Sequence, residues 1–259
     1  MLSLAQKVRY KLFGSPWGWK GNYASWSDAC KEASGYDDDV ILNKVKEALL
    51  KVKSGEALYE RDSVLFDEVQ YSWPLLAALM WIAAQEQGKL HLIDFGGSLG
   101  STYFQNKQFL DALTDVSWNI VEQEKFVECG KVYFEGERLK FYHSIEECLK
   151  TETLQTLISS STLQYIEKPW GLLEQMIQHR FKYLVFDLIP LWNKKNQITI
   201  QRVPPFIYEA SYPCWILNEQ EFLNILEPSY TLISSFDTEH TINVDGEPLT
   251  YKGYIFKLK

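Results

Sequence analysis

Cysteine is scarce and poorly placed for structural chemistry. Cys30, Cys129, Cys148 and Cys214 are scattered through 259 residues, and no two form a CxxC pair. That spacing points to neither a zinc site nor a disulfide framework. Positive charge is also in short supply: 26 Lys and Arg against 34 Asp and Glu leave a formal net charge of −8. The broad basic face that a phosphate backbone needs is therefore missing, and nucleic acid is not an expected partner; a small basic pocket remains compatible with the balance. No run approaches the roughly 20 apolar residues of a membrane span, so integral membrane association is not expected. The stretch from Met1 to Phe13 mixes charge with apolar groups and lacks the continuous apolar run of a signal peptide, making the cytoplasm the expected compartment. Gly-Lys-Ser/Thr is absent, which removes a P-loop.

What is present organises around one stretch, Leu90-His-Leu-Ile-Asp94-Phe-Gly-Gly-Ser-Leu-Gly100. It reads as a short apolar strand, an acidic residue at its end and a glycine-rich turn into a helix, whose stripe is Leu99, Tyr103, Leu110 and Leu113. Glycines there let bare backbone approach a nucleotide-like ligand and permit dihedrals closed to other residues. Upstream, residues 14–38 are rich in turn formers and aromatics, have no periodicity of their own, and are expected to lie over something else. Asp37 to Asp39 offer a cap to a helix carrying Ile41, Val45, Ala48, Leu49 and Val52, closed by Gly55; Ser72 offers a cap to another, with Pro74 in its first turn. Downstream, strands are expected over 118–122, 140–143, 157–160 and 182–186, with a helix from Pro169. Asn218 and Glu221 have capping-box spacing. Strands over 230–236 and 253–258 flank an Asp245-Gly246 turn of hairpin type. The expectation is an α/β, Rossmann-like three-layer sandwich: a mainly parallel seven-stranded sheet ending in an antiparallel hairpin. Residues 1–72 form a helical and aromatic extension, and 73–259 form the ligand-binding domain.

A parallel sheet binds ligands at the carboxyl ends of its strands. That edge would be lined by Asp94–Gly100, Glu122-Gln123, His143-Ser144, Ser160–Tyr165 and Asp187–Pro190. Glu122 closes the second strand 22 positions after Gly100, where an acidic side chain can accept hydrogen bonds from both hydroxyls of a ribose. The alternative is an ordinary strand-end glutamate. A dinucleotide fold wants G-x-G-x-x-G, which Gly96-Gly-Ser-Leu-Gly-Ser101 does not supply. Asp94-Phe95-Gly96 matches the kinase metal-binding tripeptide, but neither the kinase glycine loop nor a His-Arg-Asp loop accompanies it.

An acidic residue closing strand one, the glycine turn, Glu122 and the closing hairpin together resemble class I S-adenosylmethionine-dependent methyltransferases from about residue 73 onward. Ser98 stands where a glycine is usual. Over nearly the whole length, Trp19–Trp26, Tyr59–Asp67, Asp94–Ser101, Val121–Gln123, Ser160–Tyr165 and Gln201–Pro213 resemble a largely uncharacterised bacterial methyltransferase family associated with surface-polysaccharide biosynthesis. The resemblance implies S-adenosylmethionine as cofactor. Asp94 would orient its methionine end through the loop of Gly96, Gly97, Ser98 and Gly100. Glu122 would hold the ribose, His143 and Ser144 would border the adenine, and Gln123 and Ser161 would complete the cofactor site. On the acceptor side, Gln164 and Tyr165 would face the transferring methyl, and Tyr208, Glu209 and Tyr212 would belong to an acceptor-binding insertion. Asp187 or Glu209 would serve as base, with Tyr165 beside it. The Trp17–Trp26 stretch reads either as a lid, with Asn22 and Tyr23 touching the ligands, or as aromatic packing of the N-terminal helices on the sheet. Arg61 reads as an anion clamp for a phosphorylated acceptor or as part of an internal ion-pair cluster. In relatives an Asp-Arg-Thr-Pro run follows strand five; here it is Asp187-Leu-Ile-Pro190, so if that arginine binds the acceptor in relatives, this chain uses another group or a different acceptor. No metal site is indicated. The implied activity is O-methylation of a sugar, nucleotide-sugar or phosphorylated precursor of a capsule or lipopolysaccharide. The alternative is a non-catalytic S-adenosylmethionine-binding scaffold. A homo-oligomer is left open.

Overall fold

A computed structural model describes residues 17–35, 38–61, 63–204, 207 and 210–259. From the amino side come β1 (Gly18–Tyr23), α1 (Trp26–Glu32), α2 (Asp38–Ser54), the hairpin β2 (Tyr59–Arg61) and β3 (Val64–Phe66), and α3 (Trp73–Gln85). There follow β4 (Lys89–Phe95), α4 (Ser101–Leu110), β5 (Asp115–Val121), α5 (Glu124–Tyr133), β6 (Leu139–Tyr142), α6 (Ile145–Leu149) and β7 (Thr156–Ser160). A 3-10 turn (Leu163–Tyr165), α7 (Pro169–Gln178) and β8 (Tyr183–Ile189) come next. The remainder is β9 (Leu191–Trp192), β10 (Gln197–Arg202), β11 (Ser211–Asn218), α8 (Glu219–Leu226) and the long hairpin β12 (Tyr230–Val244) and β13 (Glu247–Leu258).

Eleven strands form one sheet in the order β6-β5-β4-β7-β8-β13-β12-β1-β10-β11-β9. The first five are parallel, and β13 runs antiparallel between β8 and β12. Strand order reverses at β4, so the crevice above its carboxyl end is the switch point where such sheets bind ligands. The parallel strands read as continuous apolar runs because both faces are covered. One apolar layer joins α2, α3, α4 and α5 through Leu49, Leu79, Tyr103 and Val127. The other joins α6, α7 and α8 through Ile145, Leu173 and Phe222. These are the two outer layers expected from the alternation of strands and helices.

The sheet differs from the expected seven strands by the addition of β1, β9, β10 and β11. β10 and β11 pair antiparallel, and β1 pairs antiparallel with β10 and through Trp19–Val244 with β12. Where no periodicity was expected, residues 18–23 are therefore a strand. Its signal is hidden by Gly18 and Gly21, both at positive φ, and by a partner about 180 positions away that no local pattern reveals. Trp19 meets Tyr251 edge-on at 6.2 Å, and Trp26 stacks on Trp215 at 6.0 Å. The 230–244 and 247–258 strands are also longer than expected, meeting at Asp245 (φ +48) and Gly246 (φ +98), the two left-handed residues of a tight hairpin. Asn218 caps α8 as expected, accepting from the Glu221 N–H at 2.8 Å. Among the described residues no helix is long and apolar enough to cross a membrane.

Gly130, on the buried face of α5, has no room for a side chain: a Cβ would lie 2.4 Å from the Phe141 ring. Replacing it with alanine gains helix propensity but forces apart α5 and β6. G130A is expected to lower stability by about 1–3 kcal/mol in chemical denaturation. G136A, where a Cβ meets nothing within 4 Å, is expected to stay within about 0.5 kcal/mol of the parent.

Candidate functional site

The turn from β4 into α4 is held from below. Asp94 is 1% exposed, and its Oδ2 accepts from the Trp118 indole N–H at 3.0 Å. Burial first, and the Glu122 charge to a lesser degree, push its pKa up to about 7, against the indole hydrogen bond that lowers it. The chain turns directly over this carboxyl: a Cβ on Gly97 would stand 2.5 Å from it. Gly96 has φ +75, and a Cβ there would meet the Thr162 side chain at 2.3 Å. Ser98 adopts φ +54, a left-handed conformation that costs an L-residue roughly 1–2 kcal/mol. Gly100, at φ +103, precedes α4. The unsatisfied N–H groups and positive dipole end of α4 thus face the switch point.

Glu122 follows β5 and is only partly exposed. Its Oε1 accepts from the Ser98 N–H at 3.2 Å and its Oε2 from the Gln123 N–H at 2.7 Å. Burial raises its pKa, opposed by those two backbone bonds. The glutamate is thereby locked to the glycine turn, with lone pairs remaining on both oxygens. Gln123 is exposed beside it. His143 and Ser144 follow β6: the His143 ring lies 3.6 Å from Glu128, and the Ser144 hydroxyl caps α6 by accepting from the Glu147 N–H.

A second polar cluster occupies the ends of β7 and β8. Asp187 is 1% exposed, with Oδ2 at 3.4 Å from both the Ser72 and the Ser160 hydroxyls. Its Oδ1 has no hydrogen-bond partner among the described residues. Burial raises its pKa to about 6, against the hydrogen bonds that lower it. Ser72 was expected to cap α3; it makes no side-chain cap bond there and turns to Asp187 instead. Gln164 is fully buried, donating to Ser161 Oγ at 3.2 Å and the Leu188 carbonyl at 3.3 Å. Ser161 and Leu188 are both left-handed. The Tyr165 hydroxyl donates to Gln201 Oε1 at 2.7 Å, and its ring meets Tyr212 edge-on at 5.4 Å. Tyr208 and Glu209 lie outside the described residues.

The edge therefore brings together Asp94, the glycine turn, Glu122, Ser161, Gln164, Tyr165, Asp187 and Tyr212. It does not bring in Asn22 and Tyr23, whose strand is five positions from β4 in the sheet order; Asn22 is exposed and the Tyr23 hydroxyl donates to Glu32 at 2.8 Å. Arg61 stands at the rim, its Nη1 2.9 Å from His240 Nε2. Its neighbour Glu60 is 2% exposed and accepts from the Ser101 hydroxyl at the start of α4. Thr162 falls within the Ser160–Tyr165 stretch expected at the edge, and Glu60 within the polar cluster around Arg61; sequence reasoning missed the site roles of Trp118, Ser72 and His240, for which residue spacing carries no signal.

No family model matches this chain, and no curated protein sequence does. Solved structures do. The N-terminal domain of EvdMO1, in the presence of SAH and D-fucose, superposes with a TM-score of 0.51 at 11% identity, covering 86% of this chain and 98% of that one. LepI in complex with SAM gives 0.47 at 11% identity over 72% of this chain and 47% of that one, so this chain spans about half of LepI. An S-adenosylmethionine-dependent methyltransferase from Clostridium acetobutylicum ATCC 824 gives 0.46 at 10% identity, over 71% and 90%. The strand order and the EvdMO1 superposition define a Rossmann-like α/β fold with added strands.

Asp94 takes up a proton on folding between about pH 4 and pH 7, because its folded pKa lies above its unfolded one. Its contribution to stability is thus best at low pH and falls as pH rises through 7. Asp94→Asn keeps an acceptor for Trp118 and removes the buried charge. Thermal unfolding should show the variant gaining on the parent at pH 8, by up to a few kcal/mol, and little or no gain at pH 5.

Proposed function

We propose that the chain is an S-adenosylmethionine-dependent methyltransferase acting on a hydroxyl of a small polar acceptor. The observation that carries the reading is Glu122: a partly buried carboxylate at the switch point, bonded to Ser98 and Gln123, with acceptor capacity left on both oxygens. That pair of acceptor oxygens fits the two hydroxyls of a ribose, each of which would donate to one of them. Gly96, Gly97 and the N-terminus of α4 fit a polar methionine end, since no side chain there stands between backbone and ligand. When bound, S-adenosylmethionine supplies an electrophilic methyl group on a sulfonium.

The chain's own part is to hold, align and exclude water. Glu122 fixes the nucleoside end, and buried Asp94 holds the turn in shape from below. Gln123, His143, Ser144 and Ser161 flank the base. Gln164, Tyr165 and Tyr212 border the acceptor, whose proton passes to Asp187; its pKa of about 6 leaves it ionised at neutral pH yet able to hold a proton during turnover. Glu209 is the second candidate for that proton. The sequence resemblance supports a sugar, nucleotide-sugar or phosphorylated precursor of a surface polysaccharide as acceptor, and the D-fucose of the EvdMO1 structure agrees with a sugar.

Titration calorimetry with S-adenosylhomocysteine tests the reading. Binding by the parent is expected to weaken roughly 10- to 100-fold in Glu122→Ala, the equivalent of about 1.5–3 kcal/mol for bonds to a charged group. No binding by the parent, or equal binding by a folded Glu122→Ala, overturns it. Turnover of a panel of nucleotide-sugars separates an enzyme from a binding scaffold.

A further inference from the structure

The two hairpins at the rim meet above the strand ends. In the long hairpin, Asp237 pairs with Lys252 and the next paired residue is Thr241 with Thr250, so Thr238, Glu239 and His240 stand opposite Tyr251 alone. Lys252 is also where β13 begins to pair with β8, at Ile189. Everything in the hairpin beyond that pair overhangs the carboxyl end of β8. The three-against-one bulge falls in this overhang and re-aims His240, as bulges beside functional sites do. On the other side, β2 is tied to the first residue of α4 through Glu60 and Ser101. From β4 to β12 the sheet order counts four steps, about 19 Å at the usual strand spacing. The contact of Arg61 with His240 closes that span, above the ends of β7 and β8 that carry Gln164 and Asp187.

The charge at this closure is unusual for the molecule. Acids outnumber bases by eight, yet among the described residues Arg61 forms no ion pair. Its contacts are the His240 imidazole at 2.9 Å and the face of Phe66 at 5.8 Å. A guanidinium has five donors in a fixed fork, and one bond to an imidazole leaves most of them for a ligand. Carboxylates and phosphates match that fork bidentately.

We propose that Arg61 and His240 form the anion-recognition point of the acceptor site, so that the acceptor carries a phosphate or a carboxylate. The assignment rests on the methyltransferase reading for what lies beneath the closure. The anion takes the guanidinium donors not spent on His240, and the imidazole, whose Nε2 accepts from Arg61, holds the guanidinium in place. His240 is a specificity residue, away from the reacting atoms.

The protein has four histidines, His91, His143, His179 and His240, so the ¹⁵N-histidine spectrum of the full chain reads the site directly. Inorganic phosphate or glucuronate should shift the His240 signal saturably while the other three hold still. Arg61→Gln should weaken that response at least about tenfold with its thermal unfolding unchanged. Lys194→Gln, at the exposed pair with Glu247, should leave it intact. A response to phosphate alone assigns a phosphorylated acceptor, and to glucuronate alone a carboxylate. No saturable shift with either, or an equal shift in Arg61→Gln, overturns the proposal. Calorimetry with S-adenosylhomocysteine on the same samples keeps the two readings apart: intact binding with no anion response sinks only the anion site, whereas an anion response without binding sinks the cofactor reading.

Discussion

A carboxyl group closed beneath a glycine peptide sets the geometry of the whole carboxyl edge. Asp94 is almost without exposure, and only the missing Cβ of Gly97 lets the chain pass over it. Gly96 is pinned in turn against Thr162 of the β7 loop, so the turn after β4 and the loop after β7 have one fitted position relative to each other. Glu122 then locks onto Ser98. Three neighbouring strands thus present their ends as one rigid surface, held by contacts that a single methylene would break.

The polar cluster around Asp187 is built differently. Ser72 comes from before α3, Ser160 from β7 and Gln164 from the following turn, and the backbone at Ser161 and Leu188 is left-handed. Strained backbone and a partly satisfied buried carboxyl persist only where surroundings over-determine them. Here the packing of α3 against β4 and β8 supplies that constraint. The site pairs a rigid cradle at β4 and β5 with a strained acidic cluster at β7 and β8.

Much of the central sheet was legible because its signals are local. Leu90 to Gly100 carries strand, acid, turn and helix in consecutive residues, and the Asn218–Glu221 cap and Asp245-Gly246 turn are equally self-contained. The added strands were not. Gln197-Ile-Thr-Ile-Gln201 alternates polar and apolar residues and is readable as a strand in retrospect, but its place beside β1 depends on pairing across the whole chain. The lining of the site divides the same way. Asp94 and Glu122 follow from strand position, whereas Ser72 and His240 reach the edge through a linker and a bulge that leave no mark in residue spacing. Trp17–Trp26 illustrates the converse: its aromatics suggest either a lid or packing of the N-terminal helices on the sheet, and the structure weaves residues 18–23 into the sheet as a strand.

That weaving carries a consequence for how the chain reaches its fold. Among the described residues β1 has no strand partner nearer than residues 198–202, and its other neighbour is Val244. The segment 18–23 must therefore wait, unpaired, until residues 198–202 and then Val244 have been synthesised. The central α/β layers can form from contacts close in sequence, but the outer half of the sheet is a late, high-contact-order event. Until β1 docks, the edges of β10 and β12 stay open, and the glycines and lysine of Gly18-Trp-Lys-Gly-Asn-Tyr23 make the waiting segment a poor template for mispairing.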